Sequence, residues 1–159
     1  MSTEKAAGSG ALVSIICRTI GRDELTKALA SISTQTHSNI ELVLVNSAGK
    51  NLDQFDLSQL NDQVVNSPQQ LSRSQAANAG LDAASGSFLM FLDDDDWIAN
   101  DHVENLLAAL GTSITAKAAY SSTVKTLADG SLTDEIFERD FDPKLLMHDN
   151  YIPIHAVLF

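Results

Sequence analysis

Residues 93–96 are four aspartates in a row, set directly after the apolar run Ser87–Leu92 (SFLMFL). Carboxylates this close repel one another unless solvent or a cation screens them. An apolar strand that runs without a spacer into four negative charges is a poor structural element by itself. It makes sense where a hard cation is held. Mg²⁺ and Mn²⁺ prefer oxygen ligands, take one or two carboxylates from a protein and complete their shell with water and phosphate oxygens. The competing explanation is a solvated acidic loop capping the next helix, where the helix dipole stabilises carboxylates. That accounts for one or two of the four charges and leaves the abrupt junction unexplained. Metal–diphosphate binding is therefore the preferred reading of Asp93–Asp96, with Trp97 packing into the core beneath the loop.

The rest of the composition suits such a site. The chain has 159 residues, 44% of them hydrophobic, enough for one domain with a real core. Its 21 acidic and 10 basic residues leave a formal net charge of −11. A surface of that sign repels nucleic-acid backbones and anionic membranes, so no nucleic-acid partner is expected. It holds an anionic ligand only with help, and a divalent cation is the usual help. The single cysteine, Cys17, lies in an apolar run and reads as a buried small hydrophobe. One cysteine gives no disulfide framework within the chain, which points to a reducing, cytoplasmic setting. No apolar run is long enough to span a bilayer. Residues 1–10 (MSTEKAAGSG) read as a flexible leader ahead of one domain over 11–159.

Alternating strands and helices must position the acidic run. Ala11–Cys17 (ALVSIIC) and Glu41–Val45 (ELVLV) read as strands buried on both faces of a parallel sheet. Between them Leu25, Ala28, Leu29 and Ile32 recur at helical spacing, with Asp23 as cap. Gln63–Asn66 reads as a short strand. Ser72–Ala84 predicts a second helix with Ala76, Ala77, Leu81 and Ala84 near one face, ended by Gly86. Ser87–Leu92 is the third long strand, and Asp101–Leu110 a third helix. Asp129-Gly130, between Ala118–Leu127 and Ser131–Phe137, signals a β-hairpin. The last run, His155–Phe159 (HAVLF), is strand-like, and stopping there predicts a domain that continues beyond Phe159. An open α/β sheet binds ligands beyond the carboxyl ends of its strands. Arg18–Arg22, Asn46–Gly49 and Asp93–Asp96 all fall at such ends, so parallel strands would line one crevice with them.

Several segments resemble one family in order and spacing. VSIICRTIGR (Val13–Arg22), LASISTQTHSNIELVLV (Leu29–Val45), SQAANAGLDAASGSFLMFLDDDDW (Ser74–Trp97) and NYIPIHAVLF (Asn150–Phe159) are similar to the successive motifs of family 2 glycosyltransferases. The resemblance covers nearly all of the chain after the leader. It implies a GT-A fold: a Rossmann-like, open, mostly parallel sheet flanked by helices, here an incomplete domain with a hairpin after the third helix. It implies inverting sugar transfer from a nucleotide-diphosphate donor to a glycan, lipid-linked or other hydroxyl acceptor. Carried over by position, Asp93-x-Asp95 is the DxD motif and both are candidate ligands of Mn²⁺ or Mg²⁺, Asp95 the more direct. Arg18, Thr19, Ile20, Asn46, Ser47, Arg73, Asp93 and Asp94 become the candidate nucleotide-sugar contacts.

Departures from the family pattern carry information too. The family's acidic pair after the second strand, one member of which accepts a hydrogen bond from the nucleotide base, is Asn46-Ser47 here. Base recognition is therefore expected to be altered. Arg18 and Arg73 suit bidentate phosphate contacts, although solvated surface arginines explain them equally well. Asn78 reads as a backbone anchor, and His37, His102, His148 and His155 lack metal-ligand spacing. The general base of the family lies beyond the strand resembling HAVLF, so no catalytic base is expected within residues 1–159. The acidic residues Asp134, Glu135, Glu138, Asp140 and Asp142 read as a solvated face. The chain is thus expected to carry the donor-binding half of a transferase and to be inactive alone, with any attachment at the inner membrane face supplied by other regions. A non-catalytic binding or scaffold domain is the alternative, and metal binding indifferent to nucleotide would point to a plain cation module.

Overall fold

In a computed structural model, residues 10–127 and 129–159 are described. Most of the expected leader, residues 1–9, and the hairpin-loop residue 128 lie outside the described residues. The apolar, β-branched runs form strands β1 (Val13–Thr19), β2 (Ile40–Asn46) and β4 (Phe88–Asp93), with β3 (Asp62–Asn66) at the edge. The order β3-β2-β1-β4 is parallel throughout. Two short strands extend it: β5 (Ala119–Tyr120) and β8 (Val157–Leu158), with β8 lying antiparallel between β4 and β5.

Helices cover both faces, which is why β1 and β2 carry no exposed face. Val13, Ile15, Cys17, Leu42 and Leu44 point into a core with α1 (Leu25–Ser33) and α3 (His102–Gly111). Ile16, Val43, Val45 and Phe91 point to the opposite side and meet α2 (Arg73–Ala83). Full burial of each such side chain contributes about 1.5–3 kcal/mol. The predicted apolar stripe of α1 is buried at all four positions, Leu25, Ala28, Leu29 and Ile32.

Local details differ from the sequence expectations. Asp23 does not cap α1; the cap position is Glu24, without a side-chain bond. On α2 the buried residues are Ala76, as expected, and Gly80, whereas Leu81 is exposed. A Cβ on Gly80 would stand 2.2 Å from Ile16 Cγ2, so only a glycine lets helix and strand approach this closely. Gly86 does not stop α2 by a left-handed turn. It lies three residues past the helix, where a Cβ would be 2.7 Å from the Ser14 backbone nitrogen. The helix begins on a capping box instead, in which the Ser72 hydroxyl accepts from Gln75 N–H and the Gln75 side chain accepts from Ser72 N–H.

The expected hairpin is present but divided. Its first arm breaks at Ser121-Ser122: Ala119–Tyr120 joins the main sheet as β5, and β6 (Thr123–Thr126) pairs with β7 (Leu132–Phe137) in a separate ribbon. A short helix, α4 (Pro143–Leu146), follows under an Asp142 cap. The His155–Phe159 run contributes only two residues of strand, preceded by a 3₁₀ turn at Ile154–Ala156.

Candidate functional site

The acidic run folds into a turn, with Asp96 N–H donating to the Asp93 carbonyl at 3.1 Å. The turn sends the four carboxylates in four directions. Asp93 is the register partner of Arg18 across the β1–β4 pair, so their side chains emerge on the same face. Arg18 donates to Asp93 Oδ1 from Nε at 2.9 Å and from Nη2 at 2.5 Å, with its guanidinium 5.4 Å from the Phe91 ring centre. Arg73, at the start of α2, reaches Asp93 Oδ2 at 3.8 Å.

Asp94 turns inward and is buried. Its Oδ2 accepts the Thr19 hydroxyl at 2.7 Å and the Ile20 N–H at 3.2 Å. Its Oδ1 accepts Arg22 Nε at 3.1 Å and is also ion-paired with Arg22 Nη2. That hydrogen bond is the first cause raising the Arg22 pKa above its ordinary value, against the opposing effect of burial. Asp95 is half exposed, and Arg22 Nη1 touches its Oδ2 at 3.2 Å. Asp96 pairs with His155, Nδ1 to Oδ2 2.9 Å. Three arginines thus offset the repulsion that the sequence alone left unbalanced.

These side chains share one crevice with the ends of β1 and β2. A cavity of about 240 Å³ is lined by Arg18, Thr19, Ile20, Arg22 and Ser47 from the strand ends and their following loops. Arg73, Asp93 and Asp94 complete its polar wall. The crevice therefore brings together seven of the eight candidate nucleotide-sugar contacts. Asn46 is the exception. Its amide donates to the Lys50 carbonyl (2.7 Å) and to Asn66 Oδ1 (2.9 Å), and its Oδ1 accepts from Lys50 N–H. Those bonds shape the loop after β2 and leave the side chain buried outside the cavity wall. Ser47 is likewise engaged, donating its hydroxyl to the Thr19 carbonyl at 2.7 Å.

The two candidate metal ligands are unequal. Both oxygens of Asp93 face arginines, whereas nothing among the described residues bonds Asp95 Oδ1. No group of three or more His, Cys, Asp or Glu side chains converges into a metal cage among the described residues. Asp95 fits a cation that takes one carboxylate from the protein and its other oxygens from a diphosphate and water.

Sequence reasoning missed Arg22 as a partner of the acidic turn, although it sits on the same loop four residues after Arg18. It also missed the clamp that fixes the loop after the turn. Gln35 donates to the Ala99 carbonyl at 2.6 Å and accepts from Val103 N–H at 3.1 Å. Thr36 donates to Glu104, and its N–H bonds the Asn100 carbonyl. Trp97 is half-buried rather than a core residue, with Lys27 Nζ 3.0 Å from its ring centre. On the far side of Asp95 a larger cavity, about 700 Å³, opens toward the β6–β7 ribbon between Trp97, His102, Lys125, Phe137 and His155. Two of the histidines left without a role, His102 and His155, line it. Burial pushes the His102 imidazole below its ordinary pKa. Its Nε2 is the one buried side-chain polar atom without a hydrogen-bond partner among the described residues. Directly beneath the site, burial pushes the Cys17 thiol far up, with Asp94 and Asp93 adding to the effect, so it is an inert packing group.

A sequence model described as glycosyl transferase family 2 matches residues 14–146. Over 88 residues, 52% of the chain, the sequence is 40% identical to the glycosyltransferase GlyA of Streptococcus pneumoniae, and the match spans 12% of that protein. The fold superposes on a mannosyltransferase from Pyrobaculum calidifontis in complex with GDP-Man and Mn²⁺, with TM-score 0.58 and 23% identity. That superposition covers 69% of this chain and 34% of the other. Staphylococcus aureus TarS in complex with UDP-GlcNAc matches with TM-score 0.53 and 23% identity over 62% of this chain and 30% of its own. The chain thus spans only a minor part of each of these proteins. Among the described residues no helix is long and apolar enough to cross a membrane.

Proposed function

The chain belongs to glycosyl transferase family 2 and carries part of a GT-A fold, and from that premise we propose that it is the donor-binding half of a metal-assisted, inverting sugar transferase. The observation that carries this reading is the convergence of the β1, β2 and β4 carboxyl ends on one cavity walled by Arg18, Arg22, Arg73 and Asp93. The arginines bind the diphosphate of a nucleotide-sugar. Thr19, Ile20 and Ser47 line the nucleoside side. Asp93 orients Arg18, and Asp94 holds the β1 loop in place. Asp95 is the metal ligand, and Mn²⁺ or Mg²⁺ bound there would neutralise charge on the departing nucleoside diphosphate. The larger cavity beyond Asp95 receives the donor sugar and the acceptor hydroxyl. A single buried thiol suits a cytoplasmic setting.

Two structural neighbours, one in complex with GDP-Man and Mn²⁺ and one with UDP-GlcNAc, support a nucleotide-sugar ligand. Calorimetry with UDP, GDP and dTDP, each with and without Mn²⁺, tests the reading. Metal-dependent binding of at least one nucleotide is expected, and its absence for all three on a folded chain would end the donor-site proposal. A second reading, a non-catalytic scaffold domain, draws on Asn46: its amide is spent on Lys50 and Asn66, and no carboxylate takes its place after β2. Binding that does not discriminate among the three bases would favour it.

A further inference from the structure

Among the described residues Arg22 is the one side chain that bridges two members of the acidic turn, and its two holds are unequal. On Asp94 it places Nε at 3.1 Å, together with the Nη2 ion pair, against a carboxylate buried to 2% side-chain exposure. On Asp95 it places a single Nη1 at 3.2 Å, where both side chains are open to solvent at 42% and 50%. The first hold is anchored by the Thr19 and Ile20 bonds to the same carboxylate. The second is a single-point contact of the kind that contributes little at a surface. Arg18 is not free to move in this way: it is 10% exposed, doubly bonded to Asp93 and packed on Phe91. Arg22 nevertheless lines the same cavity.

We propose that Arg22 is a donor-responsive cation. In the free chain its guanidinium holds Asp95 Oδ2; when a metal–diphosphate arrives it releases that oxygen, stays pivoted on Asp94 and turns its freed N–H edge onto the phosphates. The inference rests on Asp95 as metal ligand. A divalent cation on Asp95 repels a guanidinium a few ångströms away, so the exchange is driven where it is needed. The diphosphate then offers the released N–H groups a new acceptor, and the positive charge of Arg22 stays in the site throughout.

The exchange predicts opposite effects on two affinities, which simple loss of structure does not produce. Mn²⁺ titrations without nucleotide, read by electron paramagnetic resonance of the free ion, and calorimetry with GDP and UDP at saturating Mn²⁺ are carried out on the full chain and on Arg22→Gln and Arg22→Lys. Arg22→Gln is expected to bind Mn²⁺ about threefold more tightly without nucleotide, because an internal competitor is gone. It is expected to bind nucleoside diphosphate about tenfold more weakly, because a charge-assisted phosphate contact is gone. Arg22→Lys keeps the charge and the Asp94 pair but cannot bridge both carboxylates, so it should gain Mn²⁺ affinity and lose less nucleotide affinity. Lys also preserves a counter-ion for buried Asp94 if the Gln variant fails to fold. Variants that leave both affinities unchanged, or weaken both, overturn the exchange while the donor site stands. A wild-type chain with no metal-dependent nucleotide binding overturns the donor site and the exchange together.

Discussion

The four aspartates are alike in sequence and unlike in consequence. Asp94 is buried and takes bonds from Thr19, Ile20 and Arg22, so Asp94→Ala strands three donors at once. It should cost on the order of 3 kcal/mol in chemical denaturation. Asp95→Ala removes a half-exposed side chain and should shift stability by less than about 0.5 kcal/mol, while metal-dependent nucleotide binding is lost in calorimetry. His102 supplies a pH signature. Burial lowers its pKa, so the folded state keeps the ring neutral while the unfolded chain takes up a proton near its ordinary value of about 6.5. The unfolded state then binds more protons, and stability falls as pH drops through 6.5 toward the lowered value. Urea unfolding at pH 7.5 and 5.5 should show that loss, and His102→Gln should flatten it. The acidic turn was legible in the sequence as a candidate site. The division of labour within it was hidden, because it depends on Arg18, Arg22, Arg73 and His155, which arrive from distant segments. Asn46 shows the same limit: its position at a strand end was legible, and the inward bonds of its amide were not.

Helices and strands were legible where their burial is continuous. β1, β2, β4 and α1–α3 fall within a few residues of the runs that predict them, because two-sided burial writes apolar runs and one-sided burial writes helical periodicity. β5 and β8 lie inside the runs Ala118–Leu127 and His155–Phe159 that predict strands but are only two residues each, and α4 escaped because four residues carry no period. Glycines were read least well. Gly86 reads as a helix stop and is a point of close backbone approach, while Gly80 sets the distance between α2 and β1, a packing role that its spacing alone does not reveal. Gly80→Ala tests this at the element scale. Helix propensity alone would favour alanine by about 1 kcal/mol. The added methyl would sit 2.2 Å from Ile16 Cγ2, and overpacking of this kind costs about 1–3 kcal/mol. A thermal melt should therefore show net destabilisation, and Ile16→Ala, which removes Cγ2, should cost less in the Gly80→Ala background than in the wild-type chain.

At the scale of the whole molecule, stability is unevenly spread. The sheet core is fully buried at Ile15, Ile16, Leu42 and Leu44, whereas Leu127, Leu132, Ile136 and Phe137 of the β6–β7 ribbon are exposed. A two-stranded ribbon with little covered apolar surface is marginal on its own. In hydrogen exchange, amides of Leu132–Phe137 should exchange about a hundredfold or more faster than those of Ile15–Cys17 and Leu42–Leu44. The wall of the larger cavity is therefore its softest part, facing the rigid acidic turn. The architecture as a whole was legible from the alternation of strands and helices; the reversed strand β8, lodged between β4 and β5, was not. That lodgement has a consequence for the order of synthesis. β1, β2, β3 and β4 can zip together once residue 93 has emerged from the ribosome, but β5 has no sheet neighbour until residues 157–159 arrive. Only then do Leu89 and Phe159 exchange their backbone hydrogen bonds and His155 reach Asp96. The nascent chain thus carries the crevice between Arg18, Arg73 and Asp93 beside an unsealed β4 edge, an adhesive seam open to mispairing until residues 157–159 arrive.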